Sequence, residues 1–233
     1  MGQDPFILTD VEKQYGGLRP LRVRDLRIPA DVVTMIVGFD RPSAEVFINL
    51  VTGATLPDKG EVISLGRSTA SIVNSDDRLT FVEHFGITSD RIALLEGMTV
   101  AQNLALAFDL HLEPVPPETM ARVTALAADA GITASTLDMR VSEAPPLVRA
   151  QVYLARALAL NPAVLILEHP TASLSPEEGS EYAEIVKAAT GRRRLTTVGL
   201  LMDERFAKAA GSRLLVWQPA TGEVRARSPL KFW

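Results

Sequence analysis

The chain has 233 residues, of which 47% are hydrophobic, and this supplies enough apolar material to bury the core of one or two domains. A formal net charge of −4, without a long cluster of lysine and arginine, argues against a nucleic-acid-binding protein. The chain has no cysteine, which excludes disulfides and thiolate metal sites and fits a reducing compartment. No apolar stretch reaches membrane-spanning length. We therefore expect a cytoplasmic protein without direct membrane insertion, which reaches a membrane only through a partner.

The first part of the chain predicts strands followed by one helix. A short strand over 6–8 precedes a second strand over 21–28, in which apolar and charged residues alternate. The β-branched run over 32–37 ends at Gly38 and predicts a strand that is buried on both faces. A helix then presents one apolar face and ends at Gly53. That face consists of Val46, Phe47, Leu50 and Val51. A turn over 57–60 and a short strand over 61–65 follow this helix.

The second part predicts a helical segment and then further alternation of strands and helices. The helical pattern runs over 100–131, with a break at the prolines near 114–117, and resumes over 148–160. A buried strand over 163–167 follows. The remaining predicted elements are a helix over about 176–190, a strand over 196–201, a helix over about 203–210 and a strand over 213–217. Such alternation predicts an α/β fold with a mostly parallel sheet that is covered on both faces.

Several motifs occur in the order known from ABC-transporter ATPases. Residues 154–162, a hydrophobic strand and residues 170–178 resemble the segment from the signature helix to the D-loop of that family. Tyr15 resembles its aromatic A-loop residue, and residues 47–53 resemble the helix after its phosphate loop. Residues 97–104 resemble the segment after its Q-loop. An ordered set of motifs is more specific than any one of them.

The resemblance implies a P-loop NTPase-like ABC ATPase architecture with antiparallel N-terminal strands. It places the α/β core over 1–90 and 160–233 and a helical subdomain over 91–159. Within the family, residues 98–100 and 142–143 look most similar to ATPases of bacterial lipid-transport systems.

The segment that aligns with the phosphate loop departs from the family pattern. That pattern is Gly, four variable residues, Gly-Lys and then Ser or Thr, because main-chain N–H groups hold the phosphates, lysine balances their charge and the hydroxyl binds Mg²⁺. Residues 38–45 keep only the first residue, Gly38. Ser43 replaces the second glycine, Ala44 the lysine and Glu45 the hydroxyl residue. We therefore expect no nucleotide cofactor and no metal, although Arg41 could supply a cation in place of the lysine.

Other positions that carry catalysis in the family also differ. Asp90 aligns with the Q-loop glutamine, and residues 144–148, which include two prolines, align with the signature. Glu168 aligns with the Walker B aspartate that organises the metal, and His169 aligns with the glutamate that polarises water. Met202 aligns with the switch histidine.

These departures lead to the hypothesis of a catalytically inactive pseudo-ATPase that acts as a structural or regulatory subunit of a transporter-type complex. Two alternatives stay open. The chain could bind a nucleotide or another anion without turnover through Tyr15 and Arg41, or it could be a weak ATPase that uses His169 as a general base. The expected partners are a membrane permease subunit, another ABC-type ATPase or a second copy of the chain. The expected contact surface consists of Arg91, Leu94, Leu95 and Met98.

Overall fold

A computed structural model describes residues 4–227. Ten strands and seven helices are described. The strands are β1 (Phe6–Lys13), β2 (Leu21–Ile28), β3 (Val33–Val37), β4 (Lys59–Ser64), β5 (Arg67–Ser68), β6 (Phe85–Thr88), β7 (Val164–Glu168), β8 (Thr196–Leu201), β9 (Arg213–Gln218) and β10 (Glu223–Ala226). The helices are α1 (Arg41–Val51), α2 (Ser75–Val82), α3 (Val100–Ala105), α4 (Pro117–Asp129), α5 (Pro146–Leu158), α6 (Pro176–Arg193) and α7 (Glu204–Ala210).

The strands form two sheets, one antiparallel and one mostly parallel. The first has the order β2-β1-β4-β5, with antiparallel pairing throughout. The second has the order β10-β9-β3-β8-β7-β6, in which all pairs are parallel except β10 with β9. The predicted α/β architecture, with a mostly parallel sheet and antiparallel N-terminal strands, is confirmed.

The parallel sheet separates two hydrophobic clusters, as expected for strands buried on both faces. Met35 packs on one side with the helices α3 to α7, and Ile36 packs on the other side with α1 and the antiparallel sheet. Neighbouring residues of a strand point to opposite faces, so the β-branched run of β3 serves both clusters. Helices α3, α4 and α5 pack on one another within the range 91–159. The boundaries of a separate helical subdomain stay a prediction.

Helix α1 begins earlier than the sequence pattern predicts. It starts at Arg41, because Asp40 is its N-cap residue and Pro42 lies in its first turn, where a proline costs no hydrogen bond. Its apolar face buries Phe47, Leu50 and Val51 as predicted. Only residues 38–40 therefore connect β3 to α1, and the segment expected to form a longer loop is mostly helical.

Four short elements are absent from the sequence prediction. They are α2, β5, β6 and β10. Strand β6 has only four residues and contains Gly86, and α2 carries two aspartates in its first turn, so neither shows a clear apolar period. Among the helices of residues 4–227, none is both long and apolar enough to cross a membrane.

Candidate functional site

The predicted catalytic positions meet at one edge of the parallel sheet. Strands β3, β6, β7 and β8 run in the same direction, so their carboxyl ends lie side by side. The residues that follow these ends include Gly38, Asp90, His169 and Met202. Ligands of open α/β sheets bind at this edge, between the loops that leave the strands. The topology therefore brings together the positions that the motifs indicated.

The short connection from β3 to α1 is packed against the protein core and does not form an open loop. Gly38 has a φ of 109°, and a Cβ atom there would lie 2.5 Å from the main-chain oxygen of Trp217. Phe39 is fully buried and stacks on the Trp217 ring, with 4.4 Å between the ring centroids. This close approach requires glycine at position 38.

The N-terminus of α1 already has an acceptor from its own chain. The Ser43 main-chain N–H donates to Asp40 Oδ1 at 2.9 Å, and the Ser43 hydroxyl also bonds that carboxylate. An anion that bound here would have to compete with the Asp40 carboxylate for the same N–H group.

Next to this helix start, two arginines from different segments hold three carboxylates. Arg91 Nη1 contacts Glu45 Oε1 at 2.6 Å, and Arg91 Nη2 contacts Glu168 Oε2 at 2.7 Å. Arg41 Nη1 contacts Asp90 Oδ2 at 2.6 Å. The pairs tie α1, the end of β7 and the segment after β6 to one another.

The glutamates of this cluster shift the pKa of Arg91. Partial burial lowers the pKa of the Arg91 guanidinium, but the hydrogen bonds and charges of Glu168 and Glu45 outweigh burial, so the pKa of Arg91 lies above its ordinary value. Glu168 is only 5% exposed. A carboxylate that is so deeply buried requires a paired cation.

The residues at this site do not fit the divalent metal that the family resemblance implies. Such a metal would need the side chains at positions 45 and 168 as oxygen ligands, and the Arg91 guanidinium lies between these two carboxylates. Across residues 4–227, no group of three or more histidine, aspartate or glutamate side chains is arranged to hold a metal ion.

His169 lies at the end of β7 in an unusual backbone conformation. Its φ is 44°, in the left-handed region, and its main-chain N–H donates to the Leu200 carbonyl at 3.0 Å. Its Nε2 atom is buried and has no hydrogen-bond partner in the described part of the chain. Next to it is a cavity of about 320 Å³ that Glu168, Tyr153 and Leu174 help to line. Within residues 4–227, no side chain bonds His169 Nε2, so the described part of the chain offers no second residue that would orient His169 as a general base.

The remaining site positions have the following places. Tyr15 is half-buried, and burial, followed by the charge of Asp40, raises the pKa of its phenol. Met202 is exposed. In the segment that aligns with the signature, Pro145 is the N-cap residue of α5 and Pro146 lies in its first turn, so α5 begins inside this segment. The Ala44 side chain is fully buried in the core.

The four predicted contact residues are not on one surface. Leu95 is 40% exposed and Met98 is half-buried, whereas Leu94 is packed in the core. Arg91 is bonded to Glu45 and Glu168 instead of facing a groove. Ile92, which the sequence did not single out, is 37% exposed.

The chain is similar over most of its length to ATP-binding proteins of import systems, although no family model matches it. It is 26% identical over 213 residues to the sulfate/thiosulfate import ATP-binding protein CysA of Synechocystis. The aligned region covers 91% of this chain and 57% of that protein. It is 29% identical over 191 residues to the methionine import ATP-binding protein MetN of Caulobacter vibrioides, covering 81% and 57%. The chain thus spans less than two thirds of the length of these relatives.

Solved structures share the fold. A dimeric ATP-binding cassette, MJ0796, described in a post-hydrolysis state with ADP and Pi, has a TM-score of 0.74 at 20% identity, covering 98% of this chain and 100% of that one. The cbiO1 protein of Clostridium perfringens, part of the transporter complex cbiONQ, has a TM-score of 0.79 at 19% identity, covering 96% and 88%.

These comparisons overturn the hypothesis of an inactive pseudo-ATPase. The relatives are named as ATP-binding proteins of import systems, and one structural neighbour carries the products of hydrolysis. The physical error lies in treating departures at several aligned positions as a loss of function: such departures describe a difference from a pattern, whereas binding depends on all the groups at a site. The similarity to lipid-transport systems in particular is not confirmed.

Proposed function

We propose that the chain belongs to the ATP-binding cassette family of ABC transporters and is the ATP-binding subunit of a transport complex. The main support is that about nine tenths of the chain aligns with import ATP-binding proteins. The arrangement of the site at the carboxyl edge of the parallel sheet also supports the proposal, since this edge is where such folds bind ligands.

ATP binding in this chain would use a cation at a position other than that of the family's phosphate-loop lysine. Arg41 is the first residue of α1, and a guanidinium suits phosphate geometry. The Arg41 side chain is 55% exposed, so it is free to turn from Asp90 towards an entering phosphate. Tyr15 lies close enough to Asp40 for the charge of that carboxylate to help raise the pKa of its phenol, and its ring would offer a face for the adenine ring.

The entering phosphates would take the place of the Asp40 carboxylate. Its bond to the Ser43 N–H would open, and the helix N-terminus would then donate that N–H group to the ligand. The free energy of this exchange determines how tightly the chain binds ATP.

We assign the partner side of the complex to the exposed part of the segment after β6. Leu95 and Ile92 are exposed apolar residues next to the helices α3 and α5, and they offer contact area for a segment of a membrane permease. This contact would hold a cytoplasmic subunit at the membrane. A second copy of the chain, or another ATP-binding cassette, would complete the assembly.

Titration of the purified chain with ATP tests nucleotide binding. We expect the melting temperature to rise with ATP concentration, because a ligand that binds only the folded state stabilises it. Calorimetry gives the affinity, and phosphate release in the same samples reports turnover. No rise in melting temperature and no heat of binding at millimolar ATP would refute the proposal.

Affinity capture from the native membrane fraction tests the partner contact. Leu95→Asp should lose a permease that the wild type retains. Leu160→Asp is the matched control, because Leu160 is also exposed, at 59%, but lies after α5 and outside the segment that follows β6. Equal recovery of the permease with Leu95→Asp would exclude this surface.

A further inference from the structure

One guanidinium joins three parts of the site. Arg91 belongs to the segment after β6, and its two terminal nitrogens contact Glu45 on α1 and Glu168 at the end of β7. Arg91 Nε also approaches Glu168 Oε2, at 3.3 Å. Since one planar group reaches both carboxylates, Glu45 and Glu168 face the same point in space. This convergence is the observation from which the inference starts.

Convergent carboxylates can bind a divalent cation, because carboxylate oxygens are its preferred ligands. The point between Glu45 and Glu168 also lies between the two positions that the family resemblance connects with a metal. We propose that the Arg91 guanidinium is the built-in counter-ion of this site and takes the place of a divalent metal. The site is then held together by the chain alone, without a metal ion.

Charge and burial support this assignment. Glu168 is 5% exposed, so it needs a cation in every state in which it is ionised, and Arg91 provides one that cannot dissociate. Glu45, Glu168 and Arg91 together carry a formal charge of −1, and the adjacent Arg41–Asp90 pair is neutral. A divalent ion would have to lie within a few ångströms of the guanidinium, which repels it.

The side-chain types at these positions are mutually consistent. Carboxylate oxygens can bind either a metal or a guanidinium, and a planar guanidinium can take carboxylates on more than one of its edges. Both acidic residues here are glutamates, and the arginine follows Asp90 directly in the chain. We read Glu45, Arg91 and Glu168 as one unit.

This inference does not require that ATP binds, so it can fail separately from the proposed function. Its test uses Mn²⁺ as the probe, by electron paramagnetic resonance and calorimetry without nucleotide. The wild type should bind no Mn²⁺ at this site, and its melting temperature should be the same with Mn²⁺ and with a chelator. Stoichiometric Mn²⁺ binding that involves Glu45 and Glu168 in the wild type would overturn the inference.

Removal of the guanidinium should expose a metal site. In Arg91→Met, we expect the melting temperature to fall by about 5 °C or more, since Glu168 loses its partner. The variant should bind one Mn²⁺, which restores part of the lost stability. A further change of Glu45→Gln in that background should abolish the binding. If Arg91→Met is less stable but binds no Mn²⁺, the proposal that Arg91 takes the place of a divalent metal is wrong.

Arg149→Met is the matched control. Arg149 also forms a bidentate pair with a glutamate, Glu96, at 2.5 and 2.8 Å, but Glu96 is the only carboxylate that bonds it among residues 4–227. This variant should bind no Mn²⁺. If Arg91→Met does not fold, the wild-type titration alone decides, and Arg91→Lys, which keeps one positive charge, should fold and still exclude Mn²⁺.

Discussion

The Asp40 carboxylate gives the sharpest prediction, because it should affect stability and ATP affinity in opposite directions. Asp40 caps α1 through the Ser43 N–H, and the loss of such a cap costs about 1 kcal/mol. For a chain of this size, Asp40→Ala should therefore lower the melting temperature by about 2–4 °C. The same N–H group becomes free for a phosphate. If ATP no longer has to break a cap of about 1 kcal/mol, its affinity should rise about fivefold.

Two further variants separate the cap from its charge. Asp40→Asn keeps a side-chain acceptor for Ser43, so we expect nearly wild-type stability and a gain in ATP affinity from the loss of the negative charge alone. Asn74→Ala is the matched control: Asn74 caps α2 in the same way, through the Asp77 N–H at 2.7 Å, but α2 is remote from the β3–α1 connection in sequence. It should lose stability and leave ATP affinity unchanged.

The assay is calorimetric titration with ATP, combined with thermal unfolding of each variant without ligand. Asp40→Ala could lose the expected stability and yet bind ATP no better than the wild type. That result would show that the α1 N-terminus is not where the phosphates bind.

Two other variants test the packing and charge of the structure. Gly38→Ala should destabilise the fold by about 2 kcal/mol or more, because it places a Cβ atom 2.5 Å from the Trp217 main-chain oxygen at a positive φ. In the control Gly97→Ala, the added Cβ meets no atom within 4 Å, so stability should change by less than about 0.5 kcal/mol. Thermal unfolding compares the two variants. The Arg149 hydrogen bond lowers the pKa of Glu96 below its ordinary value, so this pair stabilises the fold above the ordinary pKa and its contribution is lost as the pH falls through the lowered one. Glu96→Gln should therefore be less stable than the wild type near neutral pH, and unfolding curves of the two should converge at acid pH; a constant difference would contradict this.

The regular elements of the fold were predictable where the apolar period was strong. Strands β2 and β8 both have the predicted bounds, because the residue type changes clearly at their ends. The start of α1 was not predictable from its apolar face, since the predicted face begins at Val46 and the first turn is fixed by Asp40 and Pro42 instead.

The positions of the site were predictable from motif order, but their interactions were not. The alignment brought Glu45, Asp90 and Glu168 to one edge of the sheet, and the topology agrees. Arg91 was assigned to a partner surface, because an exposed cation beside apolar residues fits a binding groove. The structure places its guanidinium against two glutamates that are 46 and 77 residues away along the chain. No local pattern in a single sequence encodes such a long-range pair.

The same long-range pair changes how the departures from the family pattern are to be understood. Considered one by one, Glu45 in place of a hydroxyl residue and Glu168 in place of an aspartate each remove a known interaction. Considered together with Arg91, they form a site in which each charge has a partner. Without the arginine, Glu168 would be a buried carboxylate with no paired cation, whereas the Glu45 side chain is 48% exposed. The three residues should therefore be coupled in a double-mutant cycle: Arg91→Met should cost much less stability when Glu168→Gln is already present. Additive losses would show that Arg91 and Glu168 act independently, and the reading of Glu45, Arg91 and Glu168 as one unit would then be wrong.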